Sequence, residues 1–169
     1  MNQINDALDT LAAAFTGEYS PERDILDPQG HEGTCSDIIH PERLDRDRLD
    51  YSVASLKLVD AYLTHLHRRY PEWPGAEWTR TVLRTGAYVG EVIRRNAPRA
   101  YDWVEFAEYV EAHPRSVRVL GEDAELAVCA LLATADGRVT LPLNRVLAFL
   151  GNGAEASVQR YAETECHED

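Results

Sequence analysis

Two stretches of helical periodicity, joined by a proline-marked turn, constrain the fold of this chain more than any other feature. Leu49, Val53, Leu56, Val59, Leu63 and Leu66 recur at spacings of four, three, three, four and three, which lines them up on one helical face. The spacing predicts a helix over residues 50–69, with Arg68 and Arg69 at the end where the helix dipole favours cations. Pro71 stops it, because the residue before a proline is pushed away from helical backbone angles. Tyr70-Pro71-Glu72-Trp73-Pro74-Gly75 then reads as a turn. A second helix is expected over 76–95, with Trp78, Val82, Val89 and Ile93 on its core face and Asn96-Ala97-Pro98 closing it. Two antiparallel helices of similar length are the expected result.

Inside the second helix lies the most informative local stretch, Gly86-Ala87-Tyr88-Val89-Gly90-Glu91-Val92. A glycine in mid-helix costs about 1 kcal/mol relative to alanine, so two of them need a compensating reason. Four-residue spacing stacks them on one face, where a neighbouring backbone can approach closely. The leading expectation is close packing against the 50–69 helix. A second reading makes the glycines the floor of a pocket, with Tyr88, Glu91 and Trp103 as pocket candidates. A third buries Glu91 in a pair with Arg94 or Arg95.

The remaining chain is more mixed. Ile4, Leu8, Leu11 and Phe15 mark a helix over 4–15, with Asn5 or Asp6 near its start and Gly17 past its end. Residues 17–48 are punctuated by Pro21, Pro28, Gly30, Gly33 and Pro41 and read as a long irregular, acidic segment. Residues 101–110 (YDWVEFAEYV) suit a helix or a strand, with a strand start running into a helical turn preferred. Residues 115–120 (RSVRVL) suggest a short strand. The apolar run 126–133, Asp136-Gly137 and the alternating 138–141 suggest a hairpin, although a helix over 126–134 is the rival. Helices are expected over 143–150, capped by Gly151, and over 154–163, before an acidic tail. The fold expected is α+β, one domain over 1–169. An N-terminal helix and irregular acidic segment (1–48) precede a core (49–165) of two long antiparallel helices on a small antiparallel sheet.

Charge bears on partners. The chain of 169 residues carries a net −12, so a phosphate backbone or an anionic membrane is repelled on average. Residues 1–50 hold 4 Arg against 12 Asp and Glu, a net of −8; residues 51–120 hold a net of +2 and residues 121–169 a net of −6. Nucleic acid is therefore an improbable partner, and a protein with a basic surface is the better expectation. No apolar run approaches the roughly 18 residues needed to span a bilayer. The N-terminus has neither a basic region nor an unbroken apolar stretch, which makes the cytoplasm the expected compartment. Cys35, Cys129 and Cys166 form no CxxC pair and suit a reducing compartment. Cys129, in an apolar run, is expected to be a small buried hydrophobe.

Chemistry-bearing motifs are sparse. His31-Glu32-Gly33-Thr34-Cys35, with Asp37 and His40 behind it, holds zinc-ligand residue types but matches no common zinc spacing. Polar loop residues are the simpler account, and no metal or cofactor is expected. His65 and His67, two apart on a helix, point to different faces. No nucleophile elbow, phosphate loop, dinucleotide fingerprint or calcium loop is present.

Taken together, LDYSVASLKLVDAYL (49–63), GAYVGEVIRRN (86–96), Trp103 and GRVTLPLNRVLAFLGNG (137–153) resemble a family of small bacterial proteins of uncharacterised function. The resemblance covers roughly the last two thirds of the chain. It implies an α+β domain with two helices ahead of a small sheet, and it implies no activity. The leading expectation is a non-enzymatic binding or interaction protein, of immunity type with a basic partner in one version. A metal-dependent enzyme using the 31–40 loop is the alternative.

Overall fold

The computed structural model describes residues 3–18, 37–116 and 129–167. Among them are six α-helices and one three-stranded antiparallel sheet, a mixed α+β arrangement. Helix α1 spans Gln3–Phe15. Three single turns of 3-10 helix, Pro41–Arg43, Arg46–Arg48 and Val53–Ser55, lead into α2 (Leu56–His67). Then follow α3 (Ala76–Asn96), β1 (Asp102–Glu105), α4 (Phe106–Ala112), β2 (Ala130–Ala133), β3 (Val139–Thr140), α5 (Pro142–Asn152) and α6 (Val158–Cys166).

The two predicted helices differ in length. α2 has 12 residues and α3 has 21. Ser52 cuts the first one short: its side chain accepts from the Ser55 backbone N–H at 3.1 Å, which fixes a 3-10 turn where periodicity alone continues the helix. Helix α3 is the axis of the core, with every residue from Thr81 to Ile93 buried. This stretch is covered on all sides, with the charged Arg84 and Glu91 buried among its apolar and small residues. Its main neighbours are α1 and α5, whereas α2 packs chiefly on α5 and α6.

The sheet runs β1-β2-β3, with Trp103 opposite Leu132 and Leu132 opposite Thr140. The predicted hairpin is β2–β3, which removes the rival helix over 130–133. Its three-residue loop places Gly137 at φ 90°, and the Thr134 N–H donates to the Arg138 carbonyl at 2.9 Å. That left-handed position is why glycine follows Asp136. Residues 101–110 divide as preferred, strand first and helix after. Of the strand expected at 115–120, residues 114–116 form a 3-10 turn and the rest lie outside the described residues. Cys129 is exposed at the start of β2, not buried as its apolar run suggested. Its carbonyl accepts from the Phe106 N–H at 3.0 Å, one residue ahead of the ladder.

Asp60 links α2 to the C-terminal helix. Its carboxylate accepts from the Ser157 hydroxyl at 2.5 Å and the Val158 backbone N–H at 2.8 Å. Unpaired N–H groups and the positive dipole end at the start of α6 are thereby met by a carboxylate from a distant helix. Residues 37–48 also join the core, with Ile38 and Leu44 buried in it.

Candidate functional site

Gly86 and Gly90 do provide a close approach, but the neighbours differ from those expected. A Cβ built on Gly86 would lie 2.9 Å from the Leu143 Cα, in α5. One built on Gly90 would lie 2.1 Å from Cζ2 of Trp103, in β1. The glycines therefore make room for α5 and an indole ring, not for the 50–69 helix. Spacing can specify a small face without naming what covers it.

With the indole seated on Gly90, its ring N–H reaches Glu91. Trp103 Nε1 donates to Glu91 Oε1 at 2.9 Å, and Arg94 donates to the same oxygen at 2.7 Å. Arg95 Nε lies 3.6 Å from the other carboxylate oxygen. Glu91 is 2% exposed, so this is a buried carboxylate met by two arginines and an indole. Burying a carboxylate is tolerable only with such partners. The pairing of Glu91 with Arg94, one of the readings of this stretch, is present.

The network extends to α1. Asn5 accepts from the Trp103 backbone N–H at 2.8 Å and donates to Asp102 at 3.0 Å. Arg94 Nε donates to the Tyr101 carbonyl at 3.1 Å, and Arg95 pairs with Asp9 at 3.2 Å. Asn5 thus ties the open edge of β1 to the first helix, and so protects an edge that other chains could pair with. Its position near the start of a helix had suggested a cap, and nothing local signals the bridge.

Tyr88 faces elsewhere. Its hydroxyl accepts from the Tyr51 backbone N–H at 3.1 Å and lies 2.8 Å from Ser55 Oγ. Ser55 spends its own proton on the Ser52 carbonyl at 2.7 Å, so Tyr88 is the donor to Ser55. Burial pushes the Tyr88 hydroxyl above the ordinary phenol range, which keeps it neutral. The ring packs between Phe15 (5.3 Å) and Tyr51 (4.9 Å), and Arg95 stacks 3.7 Å over Tyr51. Tyr51 holds φ 60°, a left-handed angle unusual for an aromatic residue. Tyr88 therefore braces the turn ahead of α2, while Glu91 and Trp103 brace β1.

Beside the Tyr88–Ser55 contact, an open depression is lined by Asp47, Arg48, Asp50, Ser52, Ser55 and Lys57, with charges of both signs. Asp50 accepts from both the backbone and the hydroxyl of Ser52, at 3.0 and 2.5 Å.

Of the 31–40 loop, only Asp37 and residues 38–40 fall among the described residues; His31, Glu32 and Cys35 lie outside them. Asp37 accepts two bonds from Arg46 at 2.5 and 2.8 Å, and His40 pairs with Glu42 at 3.0 Å. Among the described residues no group of three or more His, Cys, Asp or Glu side chains could hold a metal ion. His65 and His67 do point apart: one meets Arg69, the other the Leu150 carbonyl at 2.7 Å. No helix among the described residues is long and apolar enough to cross a membrane. Compared with known proteins, the chain matches no family model, no curated protein and no solved structure.

Proposed function

We propose that this chain is a non-enzymatic binding protein that captures a partner with a basic surface, in the manner of an immunity protein, and that it acts in the cytoplasm. The kinship with small bacterial proteins suggested by its sequence motifs is part of the same proposal. The observation that carries the reading is how the polar residues are used. Tyr88, Glu91 and Trp103, the side chains best placed in sequence to do chemistry, are buried and committed to bracing the fold. What the surface offers instead is negative charge. Glu105, Glu108 and Glu111 stand exposed at three-residue spacing along β1 and α4, with no ion pair among the described residues. Helix α4 buries none of its residues, so its carboxylates are available to a partner. A field of this sign speeds encounter with a cation and slows it with an anion.

The test is capture from lysate on immobilised protein, followed by reconstitution from purified components. A stoichiometric complex with a basic protein is expected, its association slowing as salt rises from 0.05 to 0.5 M because screening shortens the reach of the field to a few ångströms (roughly 3 Å at 1 M). The immunity version adds that the partner inhibits growth alone and is harmless when this chain is co-expressed. An acidic partner, or association indifferent to salt, would remove the proposal.

A further inference from the structure

One titratable cluster plays no part in the bracing networks or the acidic surface. Where residues 37–48 lie against α2, the rings of His40 and His65 meet edge to face with centroids 5.3 Å apart. Arg69 NH1 lies 3.3 Å from His65 Nδ1 and donates to the His65 carbonyl at 3.2 Å. A guanidinium only donates, so Nδ1 is the acceptor and the imidazole proton sits on Nε2. That Nε2 is buried and has no hydrogen-bond partner among the described residues. On the opposite side, His40 Nδ1 is 3.0 Å from Glu42. His40 also holds φ 50°, a left-handed angle rare outside glycine, so its turn is kept in place against backbone strain.

We propose that His40 and His65 form a proton-sensitive clasp that holds the His40–Arg43 turn on α2 at neutral pH and releases it on acidification. Protonating His65 at Nδ1 removes the acceptor of the Arg69 bond and sets two cations side by side. The charged groups facing His65 are Arg69 from its own helix end, and His40, Glu42 and Arg43 from the turn. Desolvation first, then Arg69, Arg43 and His40, hold the His65 pKa below the ordinary histidine range, and Glu42 opposes them only in part. A lowered folded-state pKa means that the open form binds the proton better. The clasp is therefore closed well above the free histidine value of about 6.5 and weakens as pH falls through it. The rest of the segment stays anchored, because the Ile39 N–H bond to Thr81 and the Tyr62 bond to the Ile39 carbonyl do not involve groups titrating near neutrality. This inference is independent of the partner proposed above.

Amide hydrogen exchange by NMR at pH 7.5 and 5.5, with intrinsic rates divided out, tests it. The Arg43 and Leu44 amides, bonded to the His40 and Pro41 carbonyls, should lose protection roughly three- to tenfold at the lower pH, the range set by two like charges about 5 Å apart and screened by a water-like dielectric. The α3 amides should not change. In His65→Asn, which keeps a neutral acceptor for Arg69, the response should vanish. A response absent from the wild type, or undiminished in the variant, would overturn the clasp. Should the variant fail to fold, the wild-type His65 ring titration decides: a midpoint below the ordinary histidine range supports the clasp, and one at or above it rejects it.

Discussion

Replacing Gly90 with alanine is the sharpest test of how the core is organised. The new methyl carbon would lie 2.1 Å from Cζ2 and 2.4 Å from Cη2 of Trp103, where ordinary contact begins near 3.4 Å. The indole must retreat by about an ångström to clear it, since overlap that deep is not absorbed by close-packed interiors. Forced shifts of that kind cost roughly 1–3 kcal/mol. Movement of the ring also draws Nε1 away from Glu91, and an unsatisfied buried donor adds about 1–3 kcal/mol. Against this, alanine gains about 1 kcal/mol over glycine in helix propensity. The net is a loss of roughly 1–5 kcal/mol, or a Tm lowered by about 2–20 °C for a chain of this size. Urea unfolding followed by far-UV circular dichroism gives the free energy, and native-state tryptophan emission reports the displaced indole. Gly151→Ala is the control: a Cβ there meets nothing within 4 Å, so propensity alone acts and stability should rise by up to about 1 kcal/mol. If G90A proves as stable as the wild type, the seating of Trp103 on Gly90 is wrong.

Glu91→Ala should cost about 3–5 kcal/mol by stranding Trp103 Nε1 and Arg94, whereas Glu91→Gln keeps an acceptor and should cost less; chemical denaturation of the pair ranks them. Asp60→Ala should destabilise by roughly 1–2 kcal/mol through loss of the cap on α6, with hydrogen exchange rising first in residues 158–166. Asp37 concerns acid stability. Burial raises its pKa, but the Arg46 hydrogen bonds, the Ile38 N–H and the nearby arginine charges outweigh that and hold it below the ordinary carboxylate range. Its folded pKa is depressed, so its stabilising contribution is present above the unfolded value near 4 and lost as pH falls through the folded one. Asp37→Asn should therefore be less stable than wild type at pH 7, and the gap should narrow as acid is added in pH-dependent urea titrations. The effect is small, because Asp37 is 41% exposed.

Periodicity located α1 and α3 because both carry long apolar stripes, and Asp136-Gly137 located the hairpin because a left-handed turn position accepts few residues other than glycine. The start of α2 was misplaced, since Ser52 stops the helix through a side-chain bond that hydrophobic spacing does not register. Gly86 and Gly90 announced a close approach without its partner. Leu143 and Trp103 reach them from 57 and 13 residues along the chain, and only assembly of the core brings them there. The Glu91 pairing was legible as one of three readings, because arginines three and four residues on share its helix face. Asn5 and Asp60 were not legible as partners of Trp103 and Ser157, for no local pattern encodes a bond between residues nearly a hundred apart.

Those same long-range bonds bear on how the chain comes off the ribosome. Asn5 waits for Asp102 and Trp103, and Asp60 waits for Ser157 and Val158, each about 97 positions later. The flank of α3 at Gly86 stays bare until Leu143 has been made. Non-local contacts of this kind slow folding, since the entropy of closing the loops must be overcome before any contact rewards it. A nascent chain halted before α5 therefore presents an uncovered small-residue face and an uncapped segment in place of α6. This domain is complete only once α5 and α6 have been made, and until then its half-built core is open to its neighbours.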